Sequence, residues 1–293
     1  IYLPLGGAGE IGMNMYLYGY GENGKESFII IDVGVAFPDM ESTPGVDLIM
    51  ANPKFIEENK ERLVGIFITH AHEDHIGAIG HLFGFLNAPI YCRKFTSEIG
   101  YNKLRQLGIT ETKISVVNAY PEEVNVGPFK VSFLPTSHSI PEASNLVIDT
   151  PIGRIIHTGD FKIDKTPVLG DPFNERLFSD VTKSGVLALV CDSTNVFSEN
   201  PGRSELSLKG ELIKLIKNQN GIVVATTFAS NIARLLTLAR CAHSSGRSIL
   251  VLGRAMHTMI SAAISVGILK DFPPIISTKQ ALETPRSNLF ILA

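Results

Sequence analysis

The sequence has little of several features that would each point to a class of protein. Its three cysteines, Cys92, Cys191 and Cys241, are odd in number and widely spaced. This pattern argues against a disulfide framework and favours a reducing cytoplasm. No run of about 18 apolar residues is present, so the sequence predicts no membrane span. The net charge of −3 is small, so a nucleic-acid partner would need a locally basic groove.

The composition favours a folded chain. Of 293 residues, 44% are hydrophobic and 19% are charged, which is enough for the core of one large domain or two smaller ones. The chain begins at Ile1 without a methionine or a signal peptide, and it ends in an apolar run, Phe290–Ala293, typical of the middle of a strand. We therefore expect a piece of a longer protein.

A histidine cluster is the most informative local feature. His70, His72, Asp74 and His75 lie within six consecutive positions. Histidine is costly to bury unless its ring nitrogens find partners, and four such groups in one turn would compete for few of them. Neutral imidazole and carboxylate are good zinc ligands, and the spacing is too rich for one ion. The cluster therefore predicts two adjacent metal ions.

The flanks of the cluster indicate where it lies. The preceding run, Leu63–Ile68, is apolar and reads as a buried strand. The run from Ile76 to Phe83 reads as the start of a helix that extends to about residue 86. The metal ligands are thus predicted on a strand-to-helix turn, where functional groups are commonly found.

Three further candidates follow predicted strands. His138 and Asp160 come just after the runs 131–134 and 154–157, and Asp32 ends the run 28–32. Asp160 could bridge two ions, and Asp32 more plausibly accepts a hydrogen bond from a ligand histidine, which fixes its tautomer. Taken alone, His138 would more often be a surface residue. The other histidines are interpreted as structural or surface residues: His81, His157, His243 and His257.

Two ions about 3.5–4 Å apart would activate water and stabilise the attacked centre. Such a site suits hydrolysis of an ester, an amide or a phosphodiester, and metal chemistry alone does not choose among them.

The order of the predicted elements indicates an α+β protein with two domains. Short strands with few helices between them run through the first two-thirds, which favours a sandwich of sheets with helices outside. From about residue 208, strands and helices alternate as in a parallel α/β layer. The predicted helices lie near 76–86, 95–106, 205–218, 229–242 and 256–266.

Several strings of residues resemble the bacterial ribonuclease J family. They are Leu-Pro-Leu-Gly-Gly-Ala-Gly-Glu-Ile-Gly-Met-Asn at 3–14, His-Thr-Gly-Asp-Phe-Lys at 157–162, Asp-Ser-Thr-Asn at 192–195, and the runs 227–234 and 253–256. Together with the histidine cluster they span nearly the whole chain. The resemblance implies an αββα metallo-β-lactamase sandwich at residues 1–207 and a partial α/β β-CASP domain at residues 208–293.

The resemblance also implies an activity and a set of ligands. Members of the family are zinc-dependent ribonucleases that cut RNA internally and degrade it 5′ to 3′ from a monophosphorylated end. By this resemblance His70, His72 and His138 hold one zinc ion, Asp74 and His75 hold the other, and Asp160 bridges them. Asp74 and Asp192 would be catalytic. Two later histidines of the family are not present in this sequence.

Cofactors and partners follow from the same resemblance. Two zinc ions are expected, with manganese as the alternative that such ligands accept. RNA is the expected partner, without a membrane, and the protein is expected to be a cytoplasmic homodimer or homotetramer. Ser230 and Asn231 open a predicted helix whose backbone donors could hold a substrate phosphate. The alternative is a plain N-cap, which both residue types favour.

Two other functions stay open at this point. One is a small-molecule hydrolase of the same fold, acting on a thioester or a lactam. The other is a catalytically silent subunit that binds RNA or protein partners. Such a subunit should have lost metal ligands, and all six expected in this span are present.

Overall fold

The computed structural model describes residues 1–39, 41–200 and 202–293 and divides into two compact units. The first comprises Ile1–Thr136, Glu142–Phe161 and Asn174–Ser198. The second comprises Ser137–Pro141, Lys162–Phe173 and Glu199–Ala293. The domain boundary between residues 207 and 208 stays a prediction.

The first unit contains two main sheets. Its strands are β1 (Tyr2–Gly6), β2 (Met15–Tyr20), β3 (Ser27–Ile31), β4 (Val35–Ala36), β5 (Ile49–Met50), β6 (Leu63–Ile68), β7 (Ile90–Cys92), β8 (Ile114–Val116), β9 (Glu123–Val126), β10 (Phe129–Pro135), β11 (Ser144–Thr150), β12 (Gly153–His157) and β13 (Ala188–Val190). One sheet has the order β1-β2-β3-β6-β7-β8 and the other has the order β13-β12-β11-β10-β9, while β4 and β5 form a small ribbon.

The main core lies between these two sheets. Because successive side chains of a strand point to opposite faces, Ile29 and Ile31 of β3 share one face and meet Val131 and Phe133 of β10. The opposite face of the second sheet buries Val147 and other apolar residues against the helix that carries Val181. Both faces of the second sheet are therefore covered.

Helices complete the first unit: α1 (Lys54–Glu58), α2 (Glu73–Ile76), α3 (Phe83–Leu86), α4 (Lys94–Gln106) and α5 (Glu175–Thr182). Helix α4 packs against β8 of the first sheet, and α5 packs on the second sheet through Val181. The predicted αββα arrangement is thus confirmed.

The predicted helix at 76–86 is wrong as a single element. The structure has one turn of helix in α2, a series of turns, and a second short helix in α3. Gly77 ends α2 and Gly80 lies among the turns that follow, and glycine is a poor helix former. The predicted helix at 95–106 is confirmed, because α4 spans Lys94–Gln106.

The second unit contains a small parallel sheet with helices. Its elements are α6 (Lys209–Lys217), β14 (Val223–Ala225), α7 (Ile232–Ser244), β15 (Ser248–Val251), α8 (Arg254–Ser265), α9 (Thr278–Glu283) and β16 (Leu289–Leu292). The strand order is β14-β16-β15, and both pairings are parallel. The predicted parallel α/β layer is confirmed. Among the described residues, no helix has both the length and the apolar character needed to cross a membrane.

Candidate metal centre

The histidine cluster lies on the turn between β6 and α2, as the sequence predicts. Strand β6 ends at Ile68, and α2 begins at Glu73. The carbonyl of His72 closes the turn by accepting from the backbone N–H groups of His75 and Ile76, at 3.0 and 2.9 Å. This tight turn brings the rings of His70 and His75 to a centroid separation of 4.0 Å.

A first group of potential ligands consists of His70, His72 and Asp160. Each offers one nitrogen or oxygen, and these atoms lie within 4.8 Å of one another. His70 Nε2 is 3.0 Å from His72 Nδ1. Asp160 comes three residues after β12, so two strands from different sheets each deliver part of this group.

A second group consists of Asp74, His75 and Asp160, whose ligand atoms also lie within 4.8 Å of one another. His75 Nε2 is 3.2 Å from Asp160 Oδ1 and 3.5 Å from Asp74 Oδ2. Asp160 therefore belongs to both groups, which is the position expected of a carboxylate that bridges two ions.

Asp32 lies beneath both groups and is fully buried. Its Oδ2 accepts from the Thr69 hydroxyl at 2.8 Å and is 2.7 Å from His75 Nδ1. The Thr69 hydroxyl is in turn 3.0 Å from His70 Nδ1. With Nδ1 carrying the proton, each ring has an Nε2 lone pair available for a metal ion. The Asp32 carboxylate thus orients one histidine in each group. It contacts His75 directly and reaches His70 through the Thr69 hydroxyl.

The sheet topology explains why Asp32 reaches these histidines. Strands β3 and β6 are parallel neighbours with Ile31 opposite Phe67, so the residues that follow both strands lie side by side. Asp32 has a φ of 62°, which is uncommon for a non-glycine residue and turns its side chain into the site. Gly34 permits the chain after β3 to approach the backbone of Asp74 closely, because a Cβ at this position would lie 1.7 Å from the Asp74 carbonyl oxygen.

The electrostatics favour positive charge at the second group. Burial lowers the pKa of His75, but the Asp32 carboxylate and hydrogen bonds to Asp160, Asp32 and Asp74 outweigh burial and raise it well above its ordinary value. Burial raises the pKa of Asp74, but the hydrogen bond and charge of His75 bring it below its ordinary value. The carboxylates here thus select a cation.

A cavity of about 390 Å³ opens beside the second group. Asp74, His75 and Asp160 line it on one side, and Asp192 and Thr194 line it on another. Asp192 follows β13; its Oδ1 accepts from the Thr194 N–H at 2.8 Å, and its own N–H donates to the Thr158 hydroxyl at 2.9 Å. The structure therefore places Asp192 on the same cavity as three of the predicted ligands.

Three predicted site residues lie in the second unit. His138 is half-buried in Ser137–Pro141, next to Ser137, whose carbonyl accepts from the Lys162 N–H at 2.7 Å. Asn231 is the N-cap of α7, and its Oδ1 accepts from the Arg234 N–H at 2.9 Å. The side chain of Asn231 thus serves the capping role that was the alternative, and Ser230 precedes it.

Sequence reasoning missed Asn14, Tyr16 and Thr69 as residues of the site. Asn14 Nδ2 lies 3.3 Å from Asp74 Oδ2, and the Tyr16 hydroxyl donates to Asn14 Oδ1 at 2.9 Å. The only available signal was that Asn14 ends one of the strings quoted for the resemblance. His157, which the sequence suggested to be a structural or surface residue, is buried, with its Nδ1 2.9 Å from the Tyr18 hydroxyl, and it is one of the residues that line the cavity.

Comparison with known proteins identifies the family. The sequence model of the metallo-beta-lactamase superfamily matches residues 9–196, which is most of the chain and includes every residue of the two ligand groups. The chain belongs to the metallo-beta-lactamase superfamily. The model described as "Ribonuclease J, beta-CASP domain" matches residues 220–293. The predicted combination of these two domains is confirmed.

Relatives within this superfamily carry the name ribonuclease J. The chain is 41% identical over 293 residues to ribonuclease J of Sinorhizobium meliloti, covering 100% of this chain and 52% of the relative. It is 34% identical to ribonuclease J of Thermus thermophilus, covering 99% and 51%. For ribonuclease J2 of Bacillus subtilis the identity is 32%, covering 99% and 52%. The chain spans about half the length of these relatives, and the predicted resemblance to their family is confirmed.

A solved structure supports the fold alone. The crystal structure of a protein of unknown function from Enterococcus faecalis matches 97% of this chain and 74% of its own with a TM-score of 0.62, at 18% identity.

The ligand groups fit the divalent metal site of a metallo-beta-lactamase fold. Imidazole nitrogens and carboxylate oxygens converge within 4.8 Å of one another in each group, and these are the ligand atoms that divalent metal ions such as zinc accept. Asp32 orients His75 from behind, as an outer partner of a metal ligand does.

Proposed function

We propose that this protein is a ribonuclease that hydrolyses phosphodiester bonds of RNA with two bound zinc ions. The observation that carries the proposal is Asp160, which belongs to two groups of metal ligands at once. The relatives named ribonuclease J support RNA as the substrate, because they align with essentially the whole chain. A site of this kind without those relatives would fit several hydrolytic reactions.

We assign His70, His72 and His138 to one ion and Asp74 and His75 to the other, with Asp160 between them. The chain supports the inclusion of His138 through the anchors of its loop. The Thr136 N–H donates to the Ala143 carbonyl at 3.0 Å, and the Ser144 N–H donates to the Thr69 carbonyl at 3.2 Å. The two ends of the segment that carries His138 are therefore bonded to each other, and Ser144 after it is bonded to the residue that precedes His70.

Two bound divalent cations would activate water and polarise the phosphodiester. The residues of the chain have separate tasks. Asp32 keeps His75 in one tautomer, and Asp74 presents a carboxylate both to the second ion and to the cavity. Asp192 lines the same cavity, and we propose that its Oδ2 accepts the proton that the attacking water loses and passes it to the leaving oxygen. Phosphate binding at Ser230 and at the backbone of Asn231 completes the proposal.

The two other functions are weaker. A small-molecule hydrolase has little use for a β-CASP domain, and that domain matches residues 220–293. A silent subunit should lack some ligands, and all six are present in the sequence.

Several finer properties are also part of the proposal. They are activity both as an endonuclease and as a 5′-to-3′ exonuclease on monophosphorylated RNA, manganese as the alternative metal, assembly as a homodimer or homotetramer, and a cytoplasmic location. All three cysteines lie within the described residues and are free thiols, which is in keeping with a reducing compartment.

The test uses the full-length protein. It would be stripped with a chelator, reloaded with zinc or manganese, and given RNA with a 5′ monophosphate, the same RNA with a 5′ triphosphate, and a thioester. We expect metal-dependent release of nucleotides that is fastest from the monophosphorylated RNA, together with internal cuts in both RNAs. The Asp160→Asn protein should be inactive. Turnover of the thioester without RNA cleavage would contradict the proposal, as would no turnover by the metal-loaded protein.

A further inference from the structure

Asn14 joins the glycine-rich loop before β2 to the second ligand group. Its amide nitrogen Nδ2 lies 3.0 Å from the Asp74 carbonyl oxygen and 3.3 Å from Asp74 Oδ2. The same nitrogen lies 3.1 Å from His75 Nε2. An amide nitrogen offers two N–H donors, and the carbonyl and carboxylate oxygens of Asp74 accept them, while His75 Nε2 lies next to the same nitrogen with its lone pair directed to the metal position.

Tyr16 anchors the oxygen end of this amide. Its hydroxyl donates to Asn14 Oδ1 at 2.9 Å. The side chain of Tyr16 is buried, and burial, followed by the charge of Asp32, raises its pKa, so the hydroxyl stays protonated. The carbonyl and carboxylate oxygens of Asp74 can only accept, and the Tyr16 hydroxyl donates to the amide oxygen on the other side. The amide nitrogen of Asn14 is therefore the atom directed at Asp74.

The backbone holds this arrangement in place. The Asn14 N–H donates to the Asp74 carbonyl at 2.9 Å, and the Gly34 N–H donates to the Asn14 carbonyl at 2.9 Å. Gly7 covers the pair closely, because a Cβ at this position would lie 2.4 Å from Asn14 Oδ1 and 2.5 Å from the Tyr16 hydroxyl oxygen. These contacts leave the Asn14 side chain little freedom to turn away.

We propose that Asn14 is a positioning residue for the second metal site, and that Tyr16 acts through it. The inference rests on the metal assignment made under the proposed function. Asn14 holds the carboxylate of Asp74 in the orientation that binds the ion, and Tyr16 anchors the Asn14 amide by donating to its oxygen. For neutral His75, the Asp32 acceptor holds the proton on Nδ1 and leaves the Nε2 lone pair available for a metal ion.

The experiment compares three variants of the full-length protein: Asn14→Ala, Tyr16→Phe and, as a matched control, Tyr18→Phe. Tyr18 is also a buried tyrosine of β2, but its hydroxyl pairs with His157 instead of Asn14. Zinc would be titrated into metal-free protein against a chromophoric chelator, and thermal unfolding would be followed with and without zinc.

For Asn14→Ala we expect the affinity for the second zinc ion to fall about 10- to 100-fold, which is typical for loss of a partner of a metal ligand, while the first ion binds as before. Tyr16→Phe should lower the affinity for the second zinc ion by a smaller factor. Tyr18→Phe should lower the unfolding temperature without changing either zinc affinity.

The inference would be overturned if Asn14→Ala bound both ions as the unaltered protein does. Equal weakening by Tyr16→Phe and Tyr18→Phe would also overturn it, because the effect would then be one of packing. Binding of two zinc ions by an unaltered protein that does not cleave RNA would refute the proposed function alone and leave the role of Asn14 supported by the zinc titrations.

Discussion

The Asp32 carboxylate and the His75 imidazole form a contact of 2.7 Å in which both side chains are buried. The same carboxylate accepts from Thr69, whose hydroxyl contacts His70. A single acidic side chain therefore supports one histidine in each group of potential metal ligands.

Asp32→Asn should weaken the binding of both zinc ions, by about 10- to 100-fold. An amide at this position loses the negative charge, and its single oxygen cannot serve both the Thr69 N–H, which now donates to Oδ1, and the two donors at Oδ2. Zinc titration of the metal-free protein checks this. A suitable control is Asp149→Asn, which removes a carboxylate that pairs with Arg154 at 2.7 Å and contacts no proposed ligand. Equal zinc affinities for the two variants would contradict the prediction.

Asp160→Asn should lower the occupancy of both metal positions, whereas His72→Ala should affect the first position and Asp74→Ala the second. The reason is that Asp160 belongs to both ligand groups and the other two residues to one each. The metal content of the three purified variants, measured by mass spectrometry, tests this. Retention of one fully occupied position in Asp160→Asn would show that Asp160 does not serve both ions.

His157→Gln should make the free energy of unfolding less sensitive to acid. Burial, with a smaller contribution from His75, lowers the pKa of His157 to about 3, against about 6.5 in an unfolded chain. Between about pH 3 and pH 6.5 only the unfolded chain binds a proton at this histidine. The free energy of unfolding is therefore unaffected by protonation of His157 above about pH 6.5 and falls as the pH drops towards 3. The difference is on the order of a few kcal/mol.

The measurement is the unfolding temperature of both proteins from pH 7.5 down to pH 4. The advantage of the unaltered protein over His157→Gln should shrink steadily as the pH falls. A difference that does not change with pH would mean that His157 is not kept neutral by burial.

Arg247→Met should destabilise the second unit by about 3 kcal/mol or more. The buried guanidinium of Arg247 donates to the carbonyls of Gly221, Leu289, Ile216 and Gln219, at 2.6 to 3.2 Å. Methionine would fill the space and leave these carbonyls without their donor.

Amide hydrogen exchange in α6 and β16 would locate the effect, and thermal unfolding would give its size. Arg240→Met is the control, because Arg240 pairs with Asp271 at 3.4 Å on the surface and should cost less than about 1 kcal/mol. Similar losses of stability in Arg247→Met and Arg240→Met would show that the buried hydrogen bonds of Arg247 do not stabilise the second unit.

Local elements of the fold were predictable wherever the sequence pattern was unbroken. Strand β6 and helix α4 appear within one residue of their predicted ends, because a continuous apolar run and a helical period specify them locally. The segment 76–86 was mispredicted, since its apolar pattern resembles a helix while Gly77 and Gly80 favour turns. The short strands β7 and β8 were not predicted, because the alternation of side chains in a three-residue strand is too short to distinguish it from a loop.

The sequence alone determined the histidine cluster and its place on a turn, because residues 70–75 are neighbours along the chain and a strand-to-helix turn keeps them together. The parallel pairing of β3 with β6 was needed to place Asp32 beneath His75, and the antiparallel pairing of β2 with β3 was needed to place Asn14 against Asp74. These contacts join residues 43 and 60 positions apart. Register between strands depends on which side chains pack together in the core, and that information is not local in the sequence.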